Sequence, residues 1–190
     1  MKPGGIVLAG GASSRMGAAK PLMPFRGATL IDSVIASAAP QVSQLGIDVA
    51  REDEPLFRAR YGDAVVPDLF DEKLGPLCGI VTGLAWSEAQ WLATFPCDAP
   101  FLPDNLVAQL QAQADTRPVV ARHGGRVHGV CGLWPRSALA RLKEGVENGT
   151  MRSIHDALAA FDGVACDIAA PDNAFFNVNT REDLARAEAL

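Results

Sequence analysis

Residues 5 to 20, GIVLAGGASSRMGAAK, set the architecture of the chain and point to its ligand site. The small and apolar residues at the start predict a buried β-strand, Gly5–Ala9. A glycine-rich loop follows at once, and glycines let a backbone approach a ligand and expose its N–H groups. Arg15 and Lys20 add positive charge suited to phosphate oxygens. Because the first acidic residue is Asp32, the segment is locally positive and predicts an anion site directly after the strand.

The loop differs from two common phosphate-binding motifs. A Walker A loop places a lysine and then Ser or Thr after its second glycine block, and a dinucleotide-binding loop has the spacing GxGxxG. Neither spacing occurs between Gly10 and Lys20. The alternative is a glycine-rich turn with two solvated basic side chains, Arg15 and Lys20. The strand in front of the loop and the missing acidic residues favour a ligand site instead.

Apolar runs typical of strands alternate with segments of helical periodicity along the chain. The predicted strands are Gly5–Ala9, Leu45–Ala50, Ala64–Val66, Trp91–Phe95, Pro118–Arg122, Val127–Trp134 and Gly163–Ile168. The predicted helices are Leu30–Ala39, Pro55–Tyr61, Leu77–Ala89, one capped by Asp104 and ending near Ala114, Arg136–Glu144, Thr150–Phe161 and Thr180–Leu190. The alternation predicts an α/β sandwich with a mostly parallel central sheet and helices on both faces. No Gly/Ser-rich linker divides the chain, so we expect a single domain over residues 1–190.

Composition and charge argue against several functions. The 190 residues carry 17 Lys and Arg against 22 Asp and Glu, a net charge of −5, whereas a general nucleic-acid binder needs a basic face. The four cysteines form no CxxC pair, so we expect buried reduced thiols rather than a zinc site; they are Cys78, Cys97, Cys131 and Cys166. The apolar run near the start is too short for a signal peptide, and no stretch reaches transmembrane length. We therefore expect a cytoplasmic protein with no nucleic-acid or membrane partner.

Asp98 is the candidate metal ligand. It follows the predicted strand Trp91–Phe95 and lies between Pro96 and Pro100, which restrict the backbone of the turn. Magnesium binds proteins through one or two carboxylates together with phosphate oxygens and water, so one aspartate is sufficient in kind. The alternative is that the carboxylate caps the turn through backbone N–H groups. The neighbouring Cys97 has no histidine close in sequence and is predicted to be buried rather than nucleophilic.

Two asparagines near the end of the chain form a second candidate group. Asn177 and Asn179 stand two residues apart in an extended segment, so both side chains face the same side. Amides offer donors and acceptors without adding charge to a site for anions. The alternative is turn chemistry that leads into a helix capped by Thr180.

Four segments resemble the molybdenum cofactor guanylyltransferases, bacterial nucleotidyltransferases with a Rossmann-like fold. The stretch LAGGASSRMGAAKPL, residues 8–22, is similar to the opening motif of that family. GPLCG at 75–79 is similar to its GPLAG segment, FPCDAPF at 95–101 to its xCDxPF segment, and FNVNTREDL at 176–184 to its closing NxNTPEDL segment. The four segments span almost the whole chain in the expected order. The closing segment together with LAGG favours the guanylyl branch.

The resemblance implies a reaction and its partners. GMP would pass from GTP to the terminal phosphate of molybdopterin, with release of pyrophosphate and with Mg²⁺ as cofactor. GTP and molybdopterin would be the substrates, and transient contacts with proteins that deliver the cofactor are also implied. The chemical problem is the attack of one anion on a polyanion, which a protein solves by positioning and by neutralising charge.

The resemblance also implies roles for particular residues. The catalytic group would be Arg15, Lys20 and Asp98, with Asp98 on the metal and the two basic residues on the triphosphate. Asn177 and Asn179 would lie on the acceptor or metal side. The nucleotide would be bound by Leu8, Ala9, Gly10, Gly11, Lys20, Asp68 and Asp98. A carboxylate at Asp68 could accept two N–H bonds from guanine, although the nearby Asp71 is a rival and a simple turn residue is the alternative.

The sequence departs from the family pattern at several positions. Ala19 stands where the family often has Asp, and the segment 48–51 lacks an asparagine that the family often carries there. Arg181 replaces a proline and Cys78 replaces an alanine of similar size. Arg122, Arg126 and His128 could contribute to an acceptor pocket, but their spacing is equally that of a solvated hairpin.

Two other classes of function stay open from the sequence. One is a related cytidylyltransferase or a sugar-phosphate nucleotidyltransferase. The pair Gly10-Gly11 counts against the cytidylyl relatives, which more often have alanine before the glycine. The other is a nucleotide-binding adaptor without catalysis. The presence of Arg15, Lys20 and Asp98 together argues against that reading.

Overall fold

The computed structural model describes residues 1–10, 20–70 and 75–190. In chain order the strands of these ranges are β1 (Gly4–Leu8), β2 (Pro24–Phe25), β3 (Ala28–Thr29), β4 (Leu45–Val49), β5 (Val65–Pro67), β6 (Trp91–Pro96), β7 (Val119–His123), β8 (Arg126–Pro135) and β9 (Val164–Asp167). Seven of them form one sheet in the order β5-β4-β1-β6-β8-β7-β9. All neighbours in this sheet are parallel except β8, which is antiparallel to both β6 and β7. The predicted α/β architecture with a mostly parallel sheet is confirmed.

Helices cover both faces of the sheet. They are α1 (Leu30–Ala38), α2 (Glu54–Tyr61), α3 (Pro76–Trp86), α4 (Leu106–Gln111), α5 (Leu139–Glu147), α6 (Ile154–Ala160) and α7 (Arg181–Ala189). Successive side chains of a strand point to opposite faces, and β1 shows this clearly. Val7 packs with α1, α2 and α4 in one core, whereas Ile6 and Leu8 pack with α3, α5 and α6 in the other. No helix in the described ranges is long and apolar enough to span a membrane.

Helix starts and ends differ from the prediction where distant residues contribute. Asp104 does not cap α4, which begins at Leu106 after Asn105. Instead the Gln41 side chain, from a turn far back in the chain, accepts the Val107 N–H at 2.9 Å. Helix α3 ends at Trp86 rather than at residue 89, because the chain leaves helical geometry at Ser87 on its way into β6.

A small hairpin, β2 with β3, was not predicted, because two residues per strand leave no alternation to detect. Its turn holds Arg26 and Gly27 at positive φ, 47° and 81°. Phe25 of the hairpin packs in a small apolar core with Val178 and Ala187. The hairpin therefore supports the segment that carries the two asparagines.

Candidate active site

A cavity of about 380 Å³ opens at the carboxyl ends of the parallel strands. This is the place where open α/β sheets bind ligands. Its described lining residues are Leu8, Ala9, Gly10, Lys20, Asp48, Asp68, Gly75, Pro76, Pro96, Cys97, Asp98, Arg126, Val127, His128, Gly129, Val130, Cys131 and Asn177. The sequence-predicted residues Leu8, Ala9, Gly10, Asp68 and Asn177 all lie on this one surface.

Lys20 joins two other predicted residues at the centre of the cavity. Its Nζ donates to Asp98 Oδ2 at 2.6 Å and to Asn179 Oδ1 at 2.7 Å. Asp98 lies in the turn after β6, and Asn179 lies just before α7, 159 residues from Lys20. The side chains of Lys20 and Asp98 are only 15% and 17% exposed, so the pair is shielded from most of the solvent. We call these three residues the lysine cluster.

Backbone hydrogen bonds hold the asparagine segment against Asp98. The buried Val178 donates its N–H to the Asp98 carbonyl oxygen at 2.9 Å. Thr180 caps α7, and its side chain accepts the Asp183 N–H at 3.0 Å. The capping alternative is thus correct for Thr180, while the Asn179 side chain is directed to Lys20 instead. Fixed backbone on both sides of Asn179 orients its amide toward the cluster.

The turn-capping alternative for Asp98 is not what the fold uses. Within the described ranges, its carboxylate accepts from Lys20 and from no backbone N–H.

Asp68 is both a turn residue and a cavity residue, the two alternatives that its sequence left open. Its Oδ1 accepts the Phe70 N–H at 3.1 Å and the Thr82 hydroxyl at 3.0 Å, which fixes the turn. The same carboxylate lines the cavity.

Asp48 is a cavity residue that the sequence analysis missed. It lies at the end of β4, is only 2% exposed, and its Oδ1 is buried without a hydrogen-bond partner among the described residues. Burial, and after it the charge of Asp68, raise the pKa of this carboxyl to about 8 against the opposing effect of a backbone hydrogen bond from Gly10. Asp48 is therefore mostly protonated at neutral pH. The available signal was a carboxylate inside an otherwise apolar strand, LGIDV.

Two glycines leave room for the Asp48 side chain. A Cβ on Gly79 would lie 2.4 Å from Asp48 Oδ2, and a Cβ on Gly10 would lie 3.0 Å from the same oxygen. Both are closer than ordinary van der Waals contact. Gly79 is the last residue of the GPLCG segment. A side chain at this position would clash with the buried Asp48 carboxyl beside the cavity, so the fold needs a glycine here.

Cys97 lines the cavity but is not an activated nucleophile. Burial raises the pKa of its thiol to about 12, and the neighbouring charge of Asp98 acts in the same direction. A thiol protonated at neutral pH is a poor nucleophile. Cys97 is only partly buried, short of the burial that was predicted, whereas Cys78, Cys131 and Cys166 are buried as expected.

The remaining candidates divide into three groups. Gly11, Arg15 and Asp71 lie outside the described residues, so their predicted roles stay predictions. Arg122 is not among the cavity residues and forms a two-point ion pair with Asp167, both contacts at 2.6 Å. Arg126 and His128 do line the cavity.

A mostly parallel sheet with a cavity at its strand ends and a lysine–aspartate pair in that cavity is consistent with a nucleotidyltransferase, and the comparison with known families shows that class. The chain belongs to the family described as the MobA-like NTP transferase domain, whose model matches residues 5–164.

Similar proteins agree with this assignment. A molybdenum cofactor guanylyltransferase from a Bradyrhizobium species is 38% identical over 196 residues, covering 98% of this chain and 92% of its own. One from Cereibacter sphaeroides is 38% identical over 191 residues, covering 98% of this chain and 95% of its own. The crystal structure of molybdopterin-guanine dinucleotide biosynthesis protein A from Archaeoglobus fulgidus has a TM-score of 0.83 at 23% identity, covering 98% of this chain and 97% of that one.

The raised pKa of Asp48 predicts how the stability of the fold depends on pH. The folded state binds this proton more tightly than the unfolded state, so the contribution is fully present below the ordinary aspartate pKa and is lost as the pH rises through about 8. Asp48→Asn keeps the shape and cannot ionise. We expect its advantage over the wild type to grow from pH 5 to pH 9, reaching at least about 3 °C in unfolding midpoint, the shift that roughly 1 kcal/mol gives in a domain of this size.

The control for this experiment is Asp104→Asn, which removes a carboxylate from an exposed turn. Its unfolding midpoint should follow that of the wild type at every pH. Equal pH profiles for wild type and Asp48→Asn would contradict the assignment of a buried protonated carboxyl.

Proposed function

We propose that this protein transfers GMP from GTP to the phosphate of molybdopterin and releases pyrophosphate. The observation that carries the proposal is the lysine cluster at the centre of a cavity formed by the strand ends. The names of the relatives from Bradyrhizobium and Cereibacter, molybdenum cofactor guanylyltransferase, support this choice of nucleotide and acceptor.

The nucleoside end of the cavity suits guanine. Leu8, Ala9 and Gly10 bring the backbone of the β1 end to one wall, and Asp48 and Asp68 stand beyond it. Guanine presents neighbouring N–H donors and a carbonyl acceptor on one edge. The Asp68 carboxylate would accept from the donors, and a protonated Asp48 would donate to the carbonyl oxygen. A matched acid and carboxylate would distinguish guanine from cytosine, which offers a different pattern.

The phosphates would bind at the lysine cluster. In the reaction, an oxygen of the acceptor phosphate forms a bond to the α-phosphorus of GTP. The bond from that phosphorus to the bridging oxygen breaks, and its electron pair leaves with pyrophosphate. Lys20, with Arg15, would hold the triphosphate and stabilise the charge that develops on the leaving group. Little covalent chemistry is asked of the protein, so positioning and charge neutralisation supply the rate enhancement.

The donors at the cluster fit a magnesium ion that arrives with the nucleotide. Among the described residues no group of three His, Cys, Asp or Glu side chains could form a metal cage by itself. Magnesium, however, usually takes one or two carboxylates and completes its shell with phosphate oxygens and water. Asp98, with the hard amide oxygen of Asn179, would hold it. The ion would neutralise charge on the phosphate oxygens, and Lys20 already neutralises Asp98 when no ion is bound.

The proposed function is tested by a transfer assay with molybdopterin, magnesium and either GTP or CTP. We expect pyrophosphate release and a guanine dinucleotide product from GTP, with CTP used at least about 10-fold less well, the discrimination that about 1.4 kcal/mol provides. Equal or better use of CTP would move the protein to the cytidylyl class. GTP binding without any transfer would favour a non-catalytic adaptor.

Asp98→Asn tests the metal-ligand role. The variant keeps the shape of the side chain but loses the charge that would hold the ion, so we expect normal folding and a fall in kcat of about 100-fold or more. Asp104→Asn again serves as the control, because it removes an exposed carboxylate outside the cavity. Full magnesium-dependent turnover by Asp98→Asn would remove Asp98 from the mechanism.

Lys20→Ala tests the phosphate role of the lysine. Calorimetry should show GTP binding weakened by about 10-fold or more, the loss of a charge-assisted hydrogen bond, while guanosine binding stays within about twofold of the wild type. Lys143→Ala, which removes an exposed lysine paired with Glu147, should change neither. An equal loss for GTP and guanosine would show that Lys20 supports the nucleoside end or the fold rather than the phosphates.

A further inference from the structure

The first half of β8 forms a separate wall of the cavity. Strand β8 spans residues 126–135, but β6 pairs only with its second half, from Gly132 to Pro135. The end of β6, Phe95 and Pro96, pairs with β1 on the other side instead. The first half of β8 pairs with β7 through residues 126–128 and projects past the end of β6. This overhang, residues 126–131, contributes every one of its residues to the cavity lining.

The overhang places a positive charge at the end of the cavity away from Asp48 and Asp68. Arg126 is exposed, lines the cavity, and forms no ion pair within residues 1–10, 20–70 and 75–190. The other cations nearby are already engaged. Lys20 donates to Asp98 and Asn179, and Arg122 on β7 is paired with Asp167. Arg126 is thus the described cavity arginine whose charge is available to a ligand.

An aromatic stack fixes the position of the overhang. The His128 ring lies on the Phe175 ring with 4.5 Å between centroids and 27° between planes, and His123 packs on the same Phe175 at 5.3 Å. Phe175 is buried and stands two residues before Asn177. Burial, together with the charge of Arg126, lowers the pKa of His128, so its ring is neutral at neutral pH. The stack therefore joins the overhang to the segment that leads into Asn177 and the lysine cluster.

The two ends of the cavity differ in charge, so they favour different ligand groups. The nucleoside end carries the Asp68 carboxylate, which disfavours a second anion, beside the protonated carboxyl of Asp48. The overhang contributes Arg126 and no carboxylate, and the lysine cluster lies between the two ends. An in-line transfer needs the attacking phosphate on the side of the α-phosphorus opposite the leaving pyrophosphate. The arginine of the overhang, at the end of the cavity away from Asp48 and Asp68, offers planar, two-point recognition of a phosphate.

We propose that Arg126 binds the phosphate of the acceptor, with the stacked His128 as the neutral side wall of the same subsite. This inference rests on the proposed function, because it assigns the acceptor of that reaction to one end of the cavity. Arg126 would orient the attacking oxygen and offset the repulsion between the two phosphate groups. The subsite would accept a phosphate monoester carried on a larger organic group, as molybdopterin is.

The test compares two arginines of one hairpin. In Arg126→Ala we expect the KM for molybdopterin, and its equilibrium Kd measured by calorimetry in the presence of a non-hydrolysable GTP analogue, to rise about 10- to 100-fold. The Kd for GTP and the unfolding midpoint should stay at wild-type values, because Arg126 is exposed and lies away from the nucleoside end. Arg126→Lys should recover part of the loss. Arg122→Ala, which removes an arginine already paired with Asp167, should change none of these values.

The outcomes separate the inference from the proposed function. An unchanged KM and Kd for molybdopterin in Arg126→Ala would overturn the inference alone, as would an equal rise in the Kd for GTP. If the wild type binds molybdopterin but transfers no GMP, the proposed reaction is overturned. The Kd of Arg126→Ala for molybdopterin would still show whether Arg126 forms the phosphate subsite. A wild-type protein that neither binds molybdopterin nor uses it would overturn both.

Discussion

Lys20 holds together three parts of the chain that are far apart in sequence, and the rest of the site is arranged around that contact. Its ammonium group lies between the carboxylate that ends β6 and the amide that precedes α7. The contact is partly shielded from solvent, so its charges are screened less than those of a surface pair. In the proposed reaction the ammonium group would donate to phosphate oxygens, and the Asp98 and Asn179 oxygens that it releases would hold the metal ion, so that no charge is left uncompensated.

The two ends of the cavity, on either side of the Lys20 contact, carry different charged groups. Toward β4 and β5 it carries Asp48, protonated by burial, and Asp68, tied to its own turn. Toward the β8 overhang it carries Arg126, which forms no ion pair with the part of the chain that the structure describes. In the proposed reaction, which brings two anions together, each substrate would meet a complementary end of the cavity and the lysine cluster would neutralise the reacting phosphates. Gly79 of GPLCG and Gly10 of LAGG make space for Asp48 beside the cavity.

The sequence alone predicted most of the sheet and the centre of the site, for identifiable reasons. Buried strands such as β1 and β6 are continuous apolar runs, and Asp98, Asp68 and Asn177 follow strands or lie in extended segments where ligands are expected. The contact between Lys20 and Asn179 could not be predicted, because it depends on how hairpin β2–β3 and α7 pack. The Asp104 cap was wrong for a related reason, since Gln41 reaches α4 from a distant turn. Asp48 was missed because the two glycines beside it come close only in the folded chain, and the local sequence pattern does not reveal this contact. Its raised pKa follows from that burial.

The central claim is that this cavity binds a guanine nucleotide through both its base and its phosphates. The most direct measurement is calorimetric titration of the wild-type protein with GTP, CTP, ATP and UTP, each with and without magnesium. We expect GTP to bind more tightly than the other three nucleotides and magnesium to strengthen its binding, because Asp98 lies beside Lys20, the lysine proposed to bind the phosphates. Equal affinity for all four nucleotides, or tighter binding of CTP, would contradict it.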